Sequence, residues 1–418
     1  MMKFPRLLNV ATRMINKLAA CSFNSDHQVD LNIIGKVYRQ HAKSIEASDS
    51  SRHFWRSVCQ YKCQSTARAR LAVLAVNAAA FLCLPFLLAL VRRNRESRGE
   101  KVSCEYLKID FHMAYQVPPT IRNITLERSI SRKYMTFGDF VWAVGLFLKS
   151  GTFHPELLFK FLLWITSVRP CIDSYKPRYL IQYCEYSAYS SLRRLFLNRQ
   201  GILLANVSHG PEFISCRSAF SSFDRYFAWD ITPENVHRAM HIEYADCVRF
   251  NPCAGLAPAP VVAIPTLGFL WPPIDIVDLS VLVKQLNSIN KYCKVLVRPH
   301  PNPGYANHFE SYRHLLSAQI SDAHAEDIHC FIDRCSVIVG NYSSALIQAA
   351  LRGREAIYLD DAYLACLRSY HEYYQKVIYI RLEDLEDFAA AKFNSGMCPS
   401  DEVVSTLPAI DEFSRLLH

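Results

Sequence analysis

The stretch Cys335–Leu359, CSVIVGNYSSALIQAALRGREAIYL, decides the fold. CSVIVG (335–340) is a short apolar run rich in β-branched residues. SSALIQAAL (343–351) then places small and apolar residues at helical spacing, and EAIYL (355–359) is a second apolar run. Strand, helix, strand in that order predicts a parallel pair, because the helix carries the chain back to the same end of the sheet. Upstream, VVAIPT (261–266) and KVLVRPH (294–300) read as strands, with helices over Ile276–Asn290 and Asn307–Gln319. Downstream, LEDLEDFAAAKF (382–393) and Asp401–Leu417 read as helices.

The same texture fills the preceding part of the chain. YLKIDF (106–111), RYLIQYC (178–184) and GILLANVSHG (201–210) read as strands. Phe137–Leu148, Pro155–Ile165 and Ser187–Arg199 read as helices. FNPCAGLAPAP (250–260) separates the two halves and reads as a linker. The expected fold class is therefore α/β, with two Rossmann-like domains facing a cleft at the carboxyl ends of their strands. The expected divisions are an N-terminal helical extension (1–100), a first domain (101–255), a second domain (256–400) and a C-terminal helix (401–418).

The chain has 418 residues, half of them hydrophobic and a fifth charged, with a formal net charge of +9. That composition supports large buried cores and excludes a mainly disordered chain. Only 13 residues are glycine, and neither GxxxxGK[ST] nor GxGxxG occurs, so glycine-rich phosphate loops are excluded. The 15 cysteines include no CxxC pair, which excludes a zinc ribbon or thioredoxin-type motif; reduced, buried thiols are expected. His237-x3-His241 lacks the glutamate of a zinc protease motif, and no metal site is expected.

The charge is unevenly placed. Residues 1–110 carry 18 Lys+Arg against 8 Asp+Glu, a net +10, while residues 111–418 carry 29 against 30. The body is thus neutral, which removes the argument for nucleic acid. The excess surrounds two apolar segments. The first is a basic amphipathic stretch at Leu7–Leu18, and the second is Leu71–Val91, LAVLAVNAAAFLCLPFLLALV, which has no charge. Arg68 and Arg70 precede the latter, and Arg92, Arg93, Arg95 and Arg98 follow it. Its length suffices to cross a bilayer of ~30 Å. The matched basic flanks fit equally a segment dipping into one leaflet, and the six alanines and Asn77 fit a buried helix. The expected partner is an anionic membrane surface, and the expected location is its cytoplasmic side, peripheral or monotopic.

Candidate chemistry lies at predicted strand ends. Arg298-Pro-His300-Pro closes one strand, so a guanidinium and an imidazole meet any anion there. Gly340-Asn341-Tyr342-Ser343-Ser344 joins a strand to a helix N-terminus, where free N–H groups and hydroxyls suit a phosphate; a plain serine cap is the simpler reading. Asp360 and Asp361 follow another strand and suit the hydroxyls of a ribose or sugar. In the first domain, His209 within Ser208-His209-Gly210, or Glu185 after its strand, suits general-base work.

These residues resemble a family. HG in the first half, with RPHP and a Ser-Ser helix start in the second, is similar to GT-B glycosyltransferases that build bacterial surface polysaccharides. Ile202–Trp229, VLVRPHP (295–301) and IVGNYSSALIQAALRGREAIYL (338–359) carry the resemblance. The comparison group includes teichoic-acid glycerophosphotransferases, capsule-synthesis proteins and bacterial sialyltransferases. The first half lacks the D/E-D/E-G motif of the sialyltransferases and leans toward the other two. The resemblance implies a metal-independent transferase with no cofactor. It would move a sugar or polyol phosphate from an activated nucleotide, CMP- and CDP-linked donors among those expected, to a glycan or lipid-linked acceptor. His209 or Glu185 would be the catalytic base. Arg298, His300, Ser343 and Ser344 would bind the donor phosphate, and Asn341, Asp360 and Asp361 the nucleotide or sugar. A nucleotide-sugar epimerase of the same fold and a non-catalytic glycan-binding protein remain the alternatives.

Overall fold

The computed structural model describes residues 27–47, 51–66, 70–92, 103–109, 121, 124–127, 133–182, 186–208, 210, 215–229, 234–271, 279–300, 306–341, 343–360 and 377–395. The chain divides into two compact units, Met1–Asn251 and Pro252–His418. The predicted helices at 7–18 and 401–417 lie outside the described residues.

Unit 1 begins with three helices, α1 (His27–Ile45), α2 (Ser51–Thr66) and α3 (Arg70–Leu87). A 3-10 turn, Leu88–Leu90, leads to the short β1 (Val91–Arg92). There follow β2 (Tyr106–Ile109), β3 (Ile124–Glu127), β4 (Met135–Thr136), α4 (Phe137–Lys149) and α5 (Pro155–Tyr175). The unit closes with β5 (Tyr179–Gln182), α6 (Ser190–Arg199), β6 (Leu203–Val207), β7 (Ser222–Trp229), α7 (Glu234–Ala239) and β8 (Glu243–Phe250). Its main sheet has the order β3-β2-β5-β6-β7-β8, and every pairing is parallel.

The N-terminal helices are built into this unit rather than appended to it. α2 is buried along most of its length, from Phe54 to Gln64. Its polar residues are used as fasteners: the Ser57 hydroxyl accepts from the Leu192 N–H (2.9 Å), and Gln60 accepts from the Ser190 hydroxyl (2.8 Å). Arg194 of α6 binds Asp224 (2.8 Å) and Glu243 (2.9 Å), and Arg52 and Arg56 of α2 also reach Glu243.

α5 outruns its predicted end at Ile165 and continues through Pro170 to Tyr175. Proline has no N–H, so the carbonyl of Thr166 loses its helical donor. The Tyr134 N–H supplies the missing bond at 3.0 Å, which lets the helix run on.

Unit 2 holds β9 (Thr266–Leu270), α8 (Leu279–Ile289), β10 (Lys294–Arg298), α9 (Ala306–Arg313), β11 (Gln319–Ile320) and α10 (Ile328–Asp333). It continues with β12 (Val337–Gly340), α11 (Ser344–Leu351), β13 (Glu355–Asp360), β14 (Val377–Arg381), a 3-10 turn at Leu382–Asp384 and α12 (Leu385–Ser395). The sheet order is β11-β10-β9-β12-β13-β14, all parallel. In chain order within the unit this is 3-2-1-4-5-6, the doubly wound Rossmann arrangement. The core lies where Phe269, Val295, Val297, Val339 and Ile357 meet α8 and α12.

The strand predicted at 261–266 is displaced. Val261 is 98% exposed, and the strand begins only at Thr266, after Pro265. Gly268 in its middle looks like a breaker in the sequence but serves close packing. A Cβ there would meet Cys335 Sγ at 2.5 Å and Ile338 Cδ1 at 2.8 Å.

Candidate functional site

In a 3-2-1-4-5-6 sheet the order reverses between the first and fourth strands, and helices leave toward opposite faces there. In unit 2 that switch point lies between β9 and β12, at Leu270 and Gly340, which pair directly. Gly340 suits the position because a Cβ would press on the Leu270 Cβ at 3.0 Å.

Gly340 and Asn341 thus leave the sheet at its switch point, Ser343 opens α11, and Tyr342 lies outside the described residues. Ser343 is the N-cap, with extended backbone, and its hydroxyl accepts from the Ala345 N–H at 3.2 Å. That is the serine cap anticipated as the simpler reading. Ser344 is the first helical residue and is half-buried. Asn341 is buried, and its amide NH₂ donates to the Leu359 carbonyl at 3.4 Å. The amide oxygen of Asn341 has no hydrogen-bond partner among the described residues. A buried polar atom left unpaired is costly, so this oxygen is the site's least satisfied group.

Arg298, expected to meet a phosphate, has partners of its own within unit 2. It is buried and holds the segment after β11: Nη1 donates to the Ser321 hydroxyl (3.2 Å) and Nη2 to the Glu326 carbonyl (2.7 Å). Glu326 supplies the counter-charge at 3.9 Å, and the guanidinium lies over the Phe331 ring at 5.5 Å. Burial pulls the Arg298 pKa below its ordinary value, against the opposing pull of Glu326. Both terminal nitrogens of Arg298 are thus engaged within unit 2. His300 stands two residues beyond the end of β10 and is half-buried. Asp360 ends β13, opposite Arg381 of β14 in the register. Asp361 lies outside the described residues.

In unit 1, both candidate bases, His209 and Glu185, also lie outside the described residues. Their neighbours are in place. Ser208 follows β6, its N–H donates to the Phe227 carbonyl (2.8 Å), and its hydroxyl donates to the carbonyl of Gly210 across position 209.

A third cluster, which no sequence motif marks, lies at the carboxyl end of β5. Gln182 ends that strand, and its amide oxygen accepts from Trp164 Nε1 (3.0 Å) and Arg193 Nη1 (2.9 Å). Arg193 is 94% buried (6% exposed) and has no ion pair among the described residues. It lies between the rings of Trp164 (5.3 Å) and Tyr189 (4.5 Å), which offset part of the cost of its charge. SLRRLF reads from sequence as an ordinary basic pair on a helix, and only the fold buries one of the two arginines among aromatic rings.

His237 and His241 do not share a helix. α7 ends at Ala239, and His241 has left-handed backbone (φ 52°) and stacks between Tyr38 (4.1 Å) and Phe220 (5.2 Å).

No known family model matches the chain, and no curated protein does. Solved structures similar to it include a UDP-GlcNAc 2-epimerase from Neisseria meningitidis bound to UDP-GlcNAc. That match has 9% identity and a TM-score of 0.41 over 70% of this chain and 92% of that one. The wall teichoic acid polymerase TagF is similar at 8% identity and a TM-score of 0.38, over 88% and 97% of the two chains. The glycotransferase of kitacinnamycin is similar at 9% and 0.39, over 76% and 94%. At these identities and scores none of them says what this chain does.

Proposed function

We propose that the chain is a transferase of the GT-B kind, with an activated nucleotide as donor and a glycan or lipid-linked acceptor, working at the cytoplasmic face of a membrane. The observation that carries the reading is the switch point of unit 2. Gly340 ends a buried parallel strand, Asn341 follows it, and Ser343 caps the N-terminus of α11, beside a buried amide oxygen with no partner among the described residues. The positive end of a helix dipole favours an anion, so the donor phosphate would rest on Ser344 and the first turn of α11. His300 would add a donor from the end of β10. Asn341 and Asp360 would face the nucleoside or sugar.

Unit 1 would bind the acceptor, with His209 or Glu185 as base. The base takes the proton of an acceptor hydroxyl, and that oxygen bonds to the donor's anomeric carbon or its polyol-linked phosphorus. The bond from that centre to the leaving phosphate oxygen breaks, and the nucleotide leaves with the electron pair. The charge it gains is stabilised by the helix dipole and His300, a role that in other enzymes falls to a metal.

Product analysis tests the reading. The full chain is incubated with UDP-, GDP- and CMP-sugars and CDP-glycerol, with and without lipid-linked glycan acceptors. Acceptor-dependent release of the nucleotide supports transfer. An isomeric nucleotide sugar formed without acceptor would make the protein an epimerase instead. Failure to bind or turn over any of these compounds would favour a non-catalytic glycan-binding role.

A further inference from the structure

α3 has two unlike faces. Val76, Ala80 and Leu87 are fully buried against the body of unit 1. On the other side Leu71, Leu74, Phe81, Leu82 and Phe86 are between 49% and 81% exposed, and Leu88 just beyond the helix is 51% exposed. By length and composition Leu71–Leu90 could cross a membrane. Its docking on the protein says otherwise. Asn77 donates to the Tyr61 hydroxyl (2.7 Å) and accepts from the Glu156 N–H (3.2 Å). The second bond caps the N-terminus of α5, whose own N-cap His154 offers no side-chain bond. Crossing the bilayer would break both bonds and strip away the buried face.

α4 repeats the pattern. Ala143 and Phe147 point inward, while Phe137 (60%), Val141 (49%) and Leu148 (68%) are exposed at spacings that put them on one helical face. The two helices are tied at one end by parallel pairing of β1 with β4, Val91 to Met135 and Arg92 to Thr136. Phe153, just past α4, meets Phe81 edge-on with ring centroids 6.3 Å apart. Ten of the fifteen large apolar side chains most exposed among the described residues therefore belong to α3, α4 and the residues just beyond them.

The rim of this face carries one sign of charge. Arg92, Lys133 and Lys149 are exposed around it. Within 70–92 and 133–153 the one carboxylate is Asp139, which is buried and paired with Arg169 at 3.5 Å. Arg68, Arg70, Arg93, Arg95 and Arg98 adjoin it in sequence against Glu96 and Glu100, which leaves the flanks net positive. An apolar centre within a cationic collar complements an anionic leaflet. A second copy of the same face would bring collar against collar. We infer that α3 and α4 together form a monotopic docking face. They lie in the plane of an anionic bilayer with their outer side chains among the acyl chains, and α3 does not span. The inference rests on the two helices alone and stands or falls independently of the transferase reading.

Co-sedimentation of the full chain with phosphatidylglycerol/phosphatidylcholine vesicles, against phosphatidylcholine alone, tests it. The wild type should bind the anionic vesicles more strongly. Each exposed apolar side chain accounts for roughly a tenfold step, so L82E with L148E should weaken binding about a hundredfold. The variant should melt like the wild type, and L315E in unit 2 should bind as the wild type does. Asn77→Leu should lower the melting temperature without improving vesicle binding. Wild-type binding by the L82E/L148E variant would overturn the inference. So would a wild-type dimer that these two substitutions dissociate while vesicle binding persists. Stronger vesicle binding by Asn77→Leu at unchanged stability would show that α3 spans.

Discussion

Lowering the pH from 7.5 to 5.0 should destabilise unit 1 through histidines buried in their neutral form. His154 and His241 are each held down to about 4, chiefly by burial, aided by Lys62 for the first and Arg56 for the second. In the unfolded chain both titrate near 6.5. Between about 4 and 6.5 the unfolded state binds more protons, so stability is full above that window and is lost as the pH falls through it. At pH 5 each histidine favours unfolding by about 2 kcal/mol, or roughly 3–4 kcal/mol for the pair. That is a large share of a typical ~5–15 kcal/mol stability. His53, also held to about 4 by burial first and Arg194 next, acts in the same direction. Glu243 does not add to the loss in this range. Burial raises its pKa, but Arg56, Arg194 and Arg52 outweigh that and hold it below its ordinary value, so its contribution goes only at lower pH. Four of the five tryptophans, Trp55, Trp142, Trp164 and Trp229, lie in unit 1, so urea unfolding followed by fluorescence reports mainly on this unit. His154→Phe and His241→Phe keep an aromatic ring beside Tyr61 and Tyr38 and should each remove part of the acid-induced drop. An equal drop in the double variant, or none in the wild type, would refute the reasoning.

Two further predictions concern unit 2. Gly268→Ala should cost about 1–3 kcal/mol by overpacking, because its Cβ would collide with Cys335 and Ile338; an unchanged urea midpoint would show that the sheet yields there. Arg298→Ala should lower the unit's stability by a few kcal/mol, since it removes charge-assisted bonds to Ser321 and Glu326, and should leave nucleotide affinity of the folded protein unaltered. Lost affinity at unchanged stability would return Arg298 to the phosphate site.

Strands buried on both faces of a parallel sheet are near-continuous apolar runs, and KVLVR, VIVG, LLANV and YLIQ are legible for that reason. β7 (SFDRYFAW) and β8 (EYADCVRF) hide because charged residues interrupt them. Those charges are matched only in three dimensions: Arg225 bonds Asp246 directly across the strand pair, and Asp224 meets Arg194 from a helix. The apolar run 261–264 looks like a strand in sequence but is exposed ahead of Pro265, and β9 starts only at Thr266. Of the described N-terminal helices only α3 is legible as an apolar run; α1 and α2 are polar in composition, and the buried polar bonds of α2 show it to be a structural member of unit 1. At the candidate site, the strand-end motif Gly340–Ser344 is local and could be read directly. The commitment of Arg298 and the burial of Arg193 depend on residues distant in sequence.

The central claim is that a donor phosphate rests on the first turn of α11. Calorimetric titration of CMP, CDP, UDP and GDP into the wild type and into Ser344→Glu tests it most directly. A glutamate at the first helical position suits the helix dipole, so the variant should keep its melting temperature. The same carboxylate should repel a phosphate, and the best nucleotide should bind at least about tenfold more weakly. Equal affinity in the two proteins, or no nucleotide binding by the wild type, would contradict the account.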